Sequence, residues 1–499
     1  MAYSITKSLF KNSALMMMAQ AATWVSGIVL LVFVARYLGS ADYGYLYLAL
    51  SIQTICQWII DYGGQNYIPK EVSRNKTDPS DLMTQSMLLR IGLWVISMVL
   101  TFALSLIAGY SGRVIILIMI LAFSNLWVNL TLLLRSGYQG FENMKYPSLA
   151  TVVDRGLLTL TVIPALLLGM RVTAVAILMA LTPVLNFLIC WKYSKAMFRP
   201  KFTLQMDKFK RLLKDGLPYF LWSLFGVVYY RINAIMLSLM TPASVVGWYG
   251  AAFRFFGILM FLPAIYSAAL YPILTRLSRS QAPSMISASQ KSISFLLLAG
   301  IPIAVGLIFF SRFIVQILFG LKEFGPSAAI IQLFSAGMLL TYVDFVFGGI
   351  VLALDKQKQW AMIAFGAMVV NIGMNYLLIP YFQSHSGNGG MGAAIATDLT
   401  ELFVMVSALF LMPRELFSRN LLATCGKGIA AGAIMSLSIV GAQSIGFPYY
   451  TLPVVGFLAY VVTLLATDAF NVSQLRYLLA EISIPGFVKT FSEKRRASA

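Results

Sequence analysis

Apolar runs of about 20 residues, separated by short polar stretches, recur along this chain, and a run of that length crosses the hydrocarbon of a bilayer as a helix. Counting them predicts fourteen membrane-spanning helices, near 12–36, 42–62, 82–108, 113–136, 147–169, 172–192, 212–240, 244–272, 291–311, 326–352, 359–380, 390–412, 421–442 and 449–469. The first run is too long for the hydrophobic part of a cleaved signal and is expected to remain as the first helix. The stretch from Leu217 to Arg276 is typical in length and unusual in content. It reads as two apolar runs joined by a small-residue turn, TPASVVGWYG, and each run carries one arginine near its middle, Arg231 and Arg254. Consecutive helices run in opposite directions, so both arginines fall near one depth. A cation at mid-bilayer costs about 2.5–3.5 kcal/mol on insertion scales unless it faces protein or water. Two at one level predict a hydrated, cationic cavity.

The basic residues follow the loops. With the N-terminus cytoplasmic, 27 Lys and Arg fall on the inner side and five on the outer (Arg36, Arg113, Arg171, Arg312 and Lys322). The basic loop between Lys192 and Lys214 supplies eight of the 27. The positive-inside rule then places both termini in the cytoplasm. It also accounts for most of the net charge of +19, so no nucleic acid is needed as a partner. Composition agrees: the 499 residues are 59% hydrophobic and 11% charged, with mean hydropathy +0.81. Soluble domains carry about 25% charged residues.

The chain also echoes itself at an offset of roughly 200–215 residues. GSADYGYLYLA from Gly39 parallels TPASVVGWYGAA from Thr241, and GFENMKYPSLA parallels LALDKQKQWAMIA. Six helices per repeat is an even number, so the two halves share an orientation, and such folds place their site between the halves near the midplane. The predicted organisation is all-α: an N-lobe over 1–200 with a basic linker to about 211, a C-lobe over 212–415, two further helices over 416–470, and a cytoplasmic tail over 471–499.

Several chemistries are excluded. The one histidine, His385, cannot build a His-based metal centre or catalytic triad. CGKG at Cys425 lacks the Ser or Thr of a phosphate-binding loop. Cys56, Cys190 and Cys425 fall in or beside apolar runs without paired spacing and are expected as buried thiols. No cofactor is expected.

Ionisable residues at membrane depth are Asp61, Arg90, Arg135, Asp154, Arg155, Arg231, Arg254, Asp344, Asp398 and Glu401. Mutual pairing is the commonest fate of such groups. Arg231 and Arg254 stand apart because neither of their helices carries an acidic residue at membrane depth. Asp398 and Glu401, three apart on one face of the predicted twelfth helix, either neutralise those arginines or carry a coupling cation. Tyr229 and Tyr230 lie too deep for an interfacial belt and suit a wet cavity that grips sugars or phosphate. Trp24 is a polar aromatic at the same level.

Three segments together resemble a known family: VARYLGSADYGYLYLALS from Val34, GWYGAAFRFFGILMFLPAIYSAALYPILTRLSR from Gly247, and VVNIGMNYLLIPYF from Val369 followed by GMGAAIAT. They look like the polysaccharide flippases of the Wzx type, in the superfamily of the lipid II flippases and the multidrug-and-toxin extruders. The resemblance implies two six-helix lobes that alternate access, and a transporter, not an enzyme. It implies a substrate made of an oligosaccharide on undecaprenyl pyrophosphate, moved from the cytoplasmic to the outer leaflet, with membrane lipid and other glycan-assembly proteins as partners. Arg254 matches a cavity arginine of the lipid II flippases. Arg231, Arg90, Tyr229, Tyr230 and Trp24 complete the expected substrate-binding set. The coupling ion expected from the resemblance is Na+ or H+, a sodium ion falling to Asn233, Asn371, Asn375, the carbonyl of Ala393 and Thr397, with Asp398 and Glu401 as further candidates. Asparagine stands at Asn233 and Asn375, where that branch can carry aspartate. Two alternatives remain: a cation-coupled multidrug antiporter of the same fold, and a membrane-embedded glycan polymerase or ligase, which should carry a large external loop.

Overall fold

The computed structural model describes residues 2–74, 79–141, 144–194, 205–280 and 282–469, and every regular element among them is helical. In chain order these are α1 (Ala2–Asp61), α2 (Gly64–Arg74), α3 (Ser80–Ile107), α4 (Gly112–Gly140), α5 (Lys145–Leu167), α6 (Val172–Ser194), α7 (Met206–Met240) and α8 (Ala243–Leu259). They continue as α9 (Phe261–Ser280), α10 (Ala282–Leu318), the single turn α11 (Leu321–Phe324), α12 (Ser327–Ala353), α13 (Gln357–Ser386), α14 (Gly389–Leu409), α15 (Arg419–Ser444) and α16 (Leu452–Ala466). The predicted tail and residues 195–204 of the basic linker lie outside the described residues.

Among the described residues, 13 helical segments are long and apolar enough to cross a membrane. One of them, Leu15–Ser73, has 59 residues. At 1.5 Å per residue that is about three bilayer thicknesses, so it cannot be one straight pass. Gly39 divides it, at φ 74°, a left-handed conformation that glycine adopts without a Cβ penalty. With that division the fourteen predicted passes are all present, in a multi-pass membrane protein.

The helices outrun the apolar runs that reveal them. Nothing in the polar flank of the predicted span at 291–311 breaks a helix, and α10 starts at Ala282. Residues 64–74, expected as a loop, form α2, whose Ile68 and Val72 are buried while Lys70 is exposed. Hydropathy marks where a helix meets lipid, not where its hydrogen bonds end.

The first six helices pack among themselves, with α1 against α4 and α5, and α6 against α4 and α5. A second group sets α12 against α9, α10 and α14, with α13 between α7 and α14. Helices α15 and α16 pair with each other, and α15 rests on α10 where Gly428 and Gly432 lie under Leu298 and Ile301.

The two groups meet along α1 and α8, and the contact is reciprocal. A Cβ on Gly44 would stand 1.9 Å from the carbonyl oxygen of Ala243, and a Cβ on Gly247 would stand 2.0 Å from that of Ser40. Both pairs have one offset, 203 residues (40 to 243, 44 to 247), so the echoed turns of the sequence are the surfaces that touch. Beside them Arg36 donates to the carbonyls of Ile317 and Leu318 at the end of α10. Glu323 of α11 accepts from the backbone N–H and hydroxyl of Ser40, at 3.3 and 2.9 Å. At the opposite end of the second limb of α1, Tyr62 stacks on Phe220 at 4.7 Å and Gly63 packs against Tyr219 of α7. Both ends of the interface are held together.

Candidate functional site

Arg231 of α7 and Arg254 of α8 both face the second limb of α1. The hydroxyl of Tyr43 lies beside the Arg254 guanidinium and that of Tyr47 beside Arg231, with Arg254 also close to Tyr47. Tyr43 and Tyr47 are four residues apart on α1, one helical turn, and both are buried. Two cations of one helical group are thus set against two phenols of the other. Among the described residues neither arginine forms an ion pair. A guanidinium left without a carboxylate keeps its planar fork of donors for phosphate-like oxygens.

Tyr229 and Tyr230 do not join them. Their hydroxyls donate to Oε1 of Glu401 on α14, at 2.6 and 3.3 Å. Successive residues on a helix are about 100° apart, so Arg231 and Tyr229 leave α7 on different sides. The tyrosines instead line an open cavity of about 460 Å³ bordered by α7, α9, α12, α13 and α14, with Asp344, Thr341, Ser267 and Trp360 in its wall. Glu401 therefore neutralises neither arginine; its carboxyl faces Asp344 within hydrogen-bonding reach. Asp398 packs against α12 at Gly337, where a Cβ would stand 2.0 Å from its Oδ1. The expected single cationic cavity is two environments: a guanidinium pair between the helical groups, and an acidic, aromatic cavity inside the second group.

Asn233, Asn371, Asn375 and Thr397 do come together, all buried. The Nδ2 of Asn375 donates to Oδ1 of Asn233 at 2.7 Å, and to the carbonyl and Oδ1 of Asn371, each at 2.8 Å. The Nδ2 of Asn233 donates to Thr397 Oγ1 at 2.8 Å and to the hydroxyl of Tyr249 at 2.7 Å, while Thr397 donates to the carbonyl of Ala393. Three oxygens converge on an amide nitrogen where a sodium ion would need an oxygen cage. In this arrangement the Asn375 amide nitrogen sits where the three oxygens converge, and its own Oδ1 is buried without a partner among the described residues.

Residues 9–278, more than half of the chain, match the family described as polysaccharide biosynthesis protein. The chain belongs to that family. Of curated relatives, it is similar to a Haloferax volcanii protein named "Probable low-salt glycan biosynthesis flippase", 24% identical over 83% of this chain and 86% of the relative. Of solved structures, it is similar to a lipid II flippase in an inward closed conformation, with TM-score 0.72 at 16% identity over 90% of this chain and 98% of that one. A multidrug resistance MATE family transporter of the MOP superfamily, facing inward, gives TM-score 0.64 at 14% identity over 81% and 98%. At those identities the structural likeness establishes the fold.

In this polysaccharide biosynthesis family member, two other expected substrate residues are placed differently from one another. Arg90 is 1% exposed, ion-paired with Asp61 and donating to the carbonyl of Asn129. It is a buried pair that ties α1, α3 and α4 together. Trp24 stacks on Phe261 of α9, ring centroids 4.4 Å apart, between the two helical groups. The sequence reading gave no role to Tyr43 or Tyr47. Their one-turn spacing within the echoed turn was the available signal.

Proposed function

We propose that this protein is a flippase that moves a polyprenyl-pyrophosphate-linked oligosaccharide from the cytoplasmic to the outer leaflet by alternating access between its two helical groups. The observation that carries the reading is the Arg231–Arg254 pair, set between the groups at membrane depth without a carboxylate partner among the described residues. A pyrophosphate cannot cross a low-dielectric midplane unpaired, and guanidinium forks match its oxygens and keep their charge at any working pH. Family membership and the flippase named among its relatives support the substrate class. The hydroxyls of Tyr43 and Tyr47 lie beside the guanidinium groups, and separation of the two helical groups would free those groups for phosphate.

The acidic, aromatic cavity favours a second reading, a cation antiporter of the same fold. Deleting the gene separates the two. A flippase predicts that lipid-linked repeat units accumulate in the inner leaflet while surface glycan is lost. Intact surface glycan with new sensitivity to cationic dyes would establish the antiporter.

A further inference from the structure

Tyr43 stands in two places at once. Its hydroxyl is buried beside the Arg254 guanidinium and has no hydrogen-bond partner among the described residues. Its ring meets Phe324 of α11 edge-on, with centroids 5.8 Å apart. The two residues are 1% and 0% exposed. Next to Phe324, Glu323 ties α11 to α1 through its bonds to Ser40, three residues before Tyr43. The loop charges put this end of the interface outside. Trp248 of α8 donates to the carbonyl of Glu323 at 2.8 Å, and Ser327 donates to the carbonyl of Trp248 at 3.0 Å. Those bonds keep α11 with the second helical group, so this outer seal parts between α1 and α11.

A buried hydroxyl without a partner is costly. A guanidinium has donors and no acceptor. Even with the phenol oxygen accepting from Arg254, the phenol's own hydrogen has nowhere to go. Donors therefore gather around a point with nothing to receive them, and the missing partner is an anion with several oxygens. A phosphate group meets the need, because its oxygens accept from the guanidinium fork and from the phenol together. Tyr43 and Phe324 are packed with almost no exposed surface. An oxygen that enters between the hydroxyl and the guanidinium must shift the phenol, and the ring then moves off Phe324.

We propose that Tyr43 is a phosphate-binding residue that signals occupancy of Arg254 to the outer seal. With the site empty, the Tyr43 ring and Phe324 hold α1 on α11, and the Ser40–Glu323 bonds stay made. With a phosphate group at Arg254, the hydroxyl turns to it, the ring leaves Phe324 and α1 is released from α11. The outer end then opens on a loaded site and stays shut on an empty one. The phosphate ligand rests on the flippase reading; the contact between Tyr43 and the seal does not.

The test puts spin labels on Ala41→Cys of α1 and Lys322→Cys of α11, both exposed positions, with Cys56, Cys190 and Cys425 replaced by alanine. The full-length protein is held in lipid nanodiscs, and the probe is undecaprenyl pyrophosphate without glycan. Adding it should lengthen the distance between the labels, and undecaprenol should not. Tyr43→Phe should bind the probe about tenfold more weakly, the loss of one hydrogen bond to a charged group, and should not lengthen even at saturation. Phe324→Leu should bind as the wild type does and fail to open. Wild-type affinity or wild-type lengthening in a folded Tyr43→Phe protein would overturn the proposal, as would wild-type lengthening in Phe324→Leu. Binding without lengthening in the wild type would also overturn it and leave the flippase reading standing. No binding by the wild type, or undiminished binding by Arg254→Ala, would remove the phosphate site and the flippase reading with it.

Discussion

Tyr229 donates its hydroxyl to Glu401 at 2.6 Å, so α7 is tied to α14 across 172 residues of sequence by a buried bond to an acid. Removing that donor leaves a buried acceptor short of a partner, which costs about 1–3 kcal/mol. Tyr229→Phe should therefore lower the thermal midpoint of the purified protein measurably. Tyr230→Phe should lower it less, because its bond is longer, 3.3 Å, and its side chain is partly exposed. Equal midpoints for Tyr229→Phe and wild type would show that the bond adds nothing.

The Arg90–Asp61 pair gives a prediction of the opposite kind. Breaking a buried ion pair by removing one partner costs about 3–5 kcal/mol, because the survivor is left charged and unpaired. Arg90→Ala should express poorly, and Arg90→Met/Asp61→Leu should recover much of the yield by removing both charges. Transport by the recovered double variant would confirm that Arg90 has no contact with substrate. A stable Arg90→Ala protein that cannot transport would restore it to the substrate site.

The contrast between Arg90 and Arg254 marks what the sequence can and cannot reveal. The number of passes was legible because each needs about 20 apolar residues. The echoed turns were legible as a repeat, and they prove to be the surfaces where Gly44 and Gly247 let two backbones touch. Which intramembrane charges are paired was not legible. Asp61 and Arg90 are 29 residues apart on different helices, and only packing brings them together. Tyr229, Tyr230 and Arg231 are consecutive, which suggested one shared cavity; the 100° step of the helix sends them to two sites. The four residues of the expected sodium cluster lie together, but the direction of the Asn375 amide depends on what faces it.

That cluster predicts sodium independence. Because the Asn375 amide occupies the point where three oxygens converge, the wild-type thermal midpoint should be the same in sodium and potassium chloride. Asn375→Asp replaces the donor with a charged oxygen. The variant should be destabilised in potassium and recover selectively in sodium. A sodium-specific shift in the wild-type protein would contradict the assignment.

The central claim is that Arg254 grips a phosphate group during transport, and flipping of a fluorescent polyprenyl-pyrophosphate-linked glycan in proteoliposomes tests it most directly. A charge-assisted bidentate contact is stronger than the roughly 1 kcal/mol of a neutral hydrogen bond, and its loss at a midplane barrier should be felt in full. Arg254→Ala, reconstituted at wild-type yield and thermal midpoint, should flip at least about tenfold more slowly, since each 1.36 kcal/mol is a factor of ten in rate. Arg254→Lys should recover part of the rate, because lysine keeps the charge and loses the fork. Arg231→Ala should slow transport in the same direction. Wild-type flipping by a well-folded Arg254→Ala protein would contradict the account.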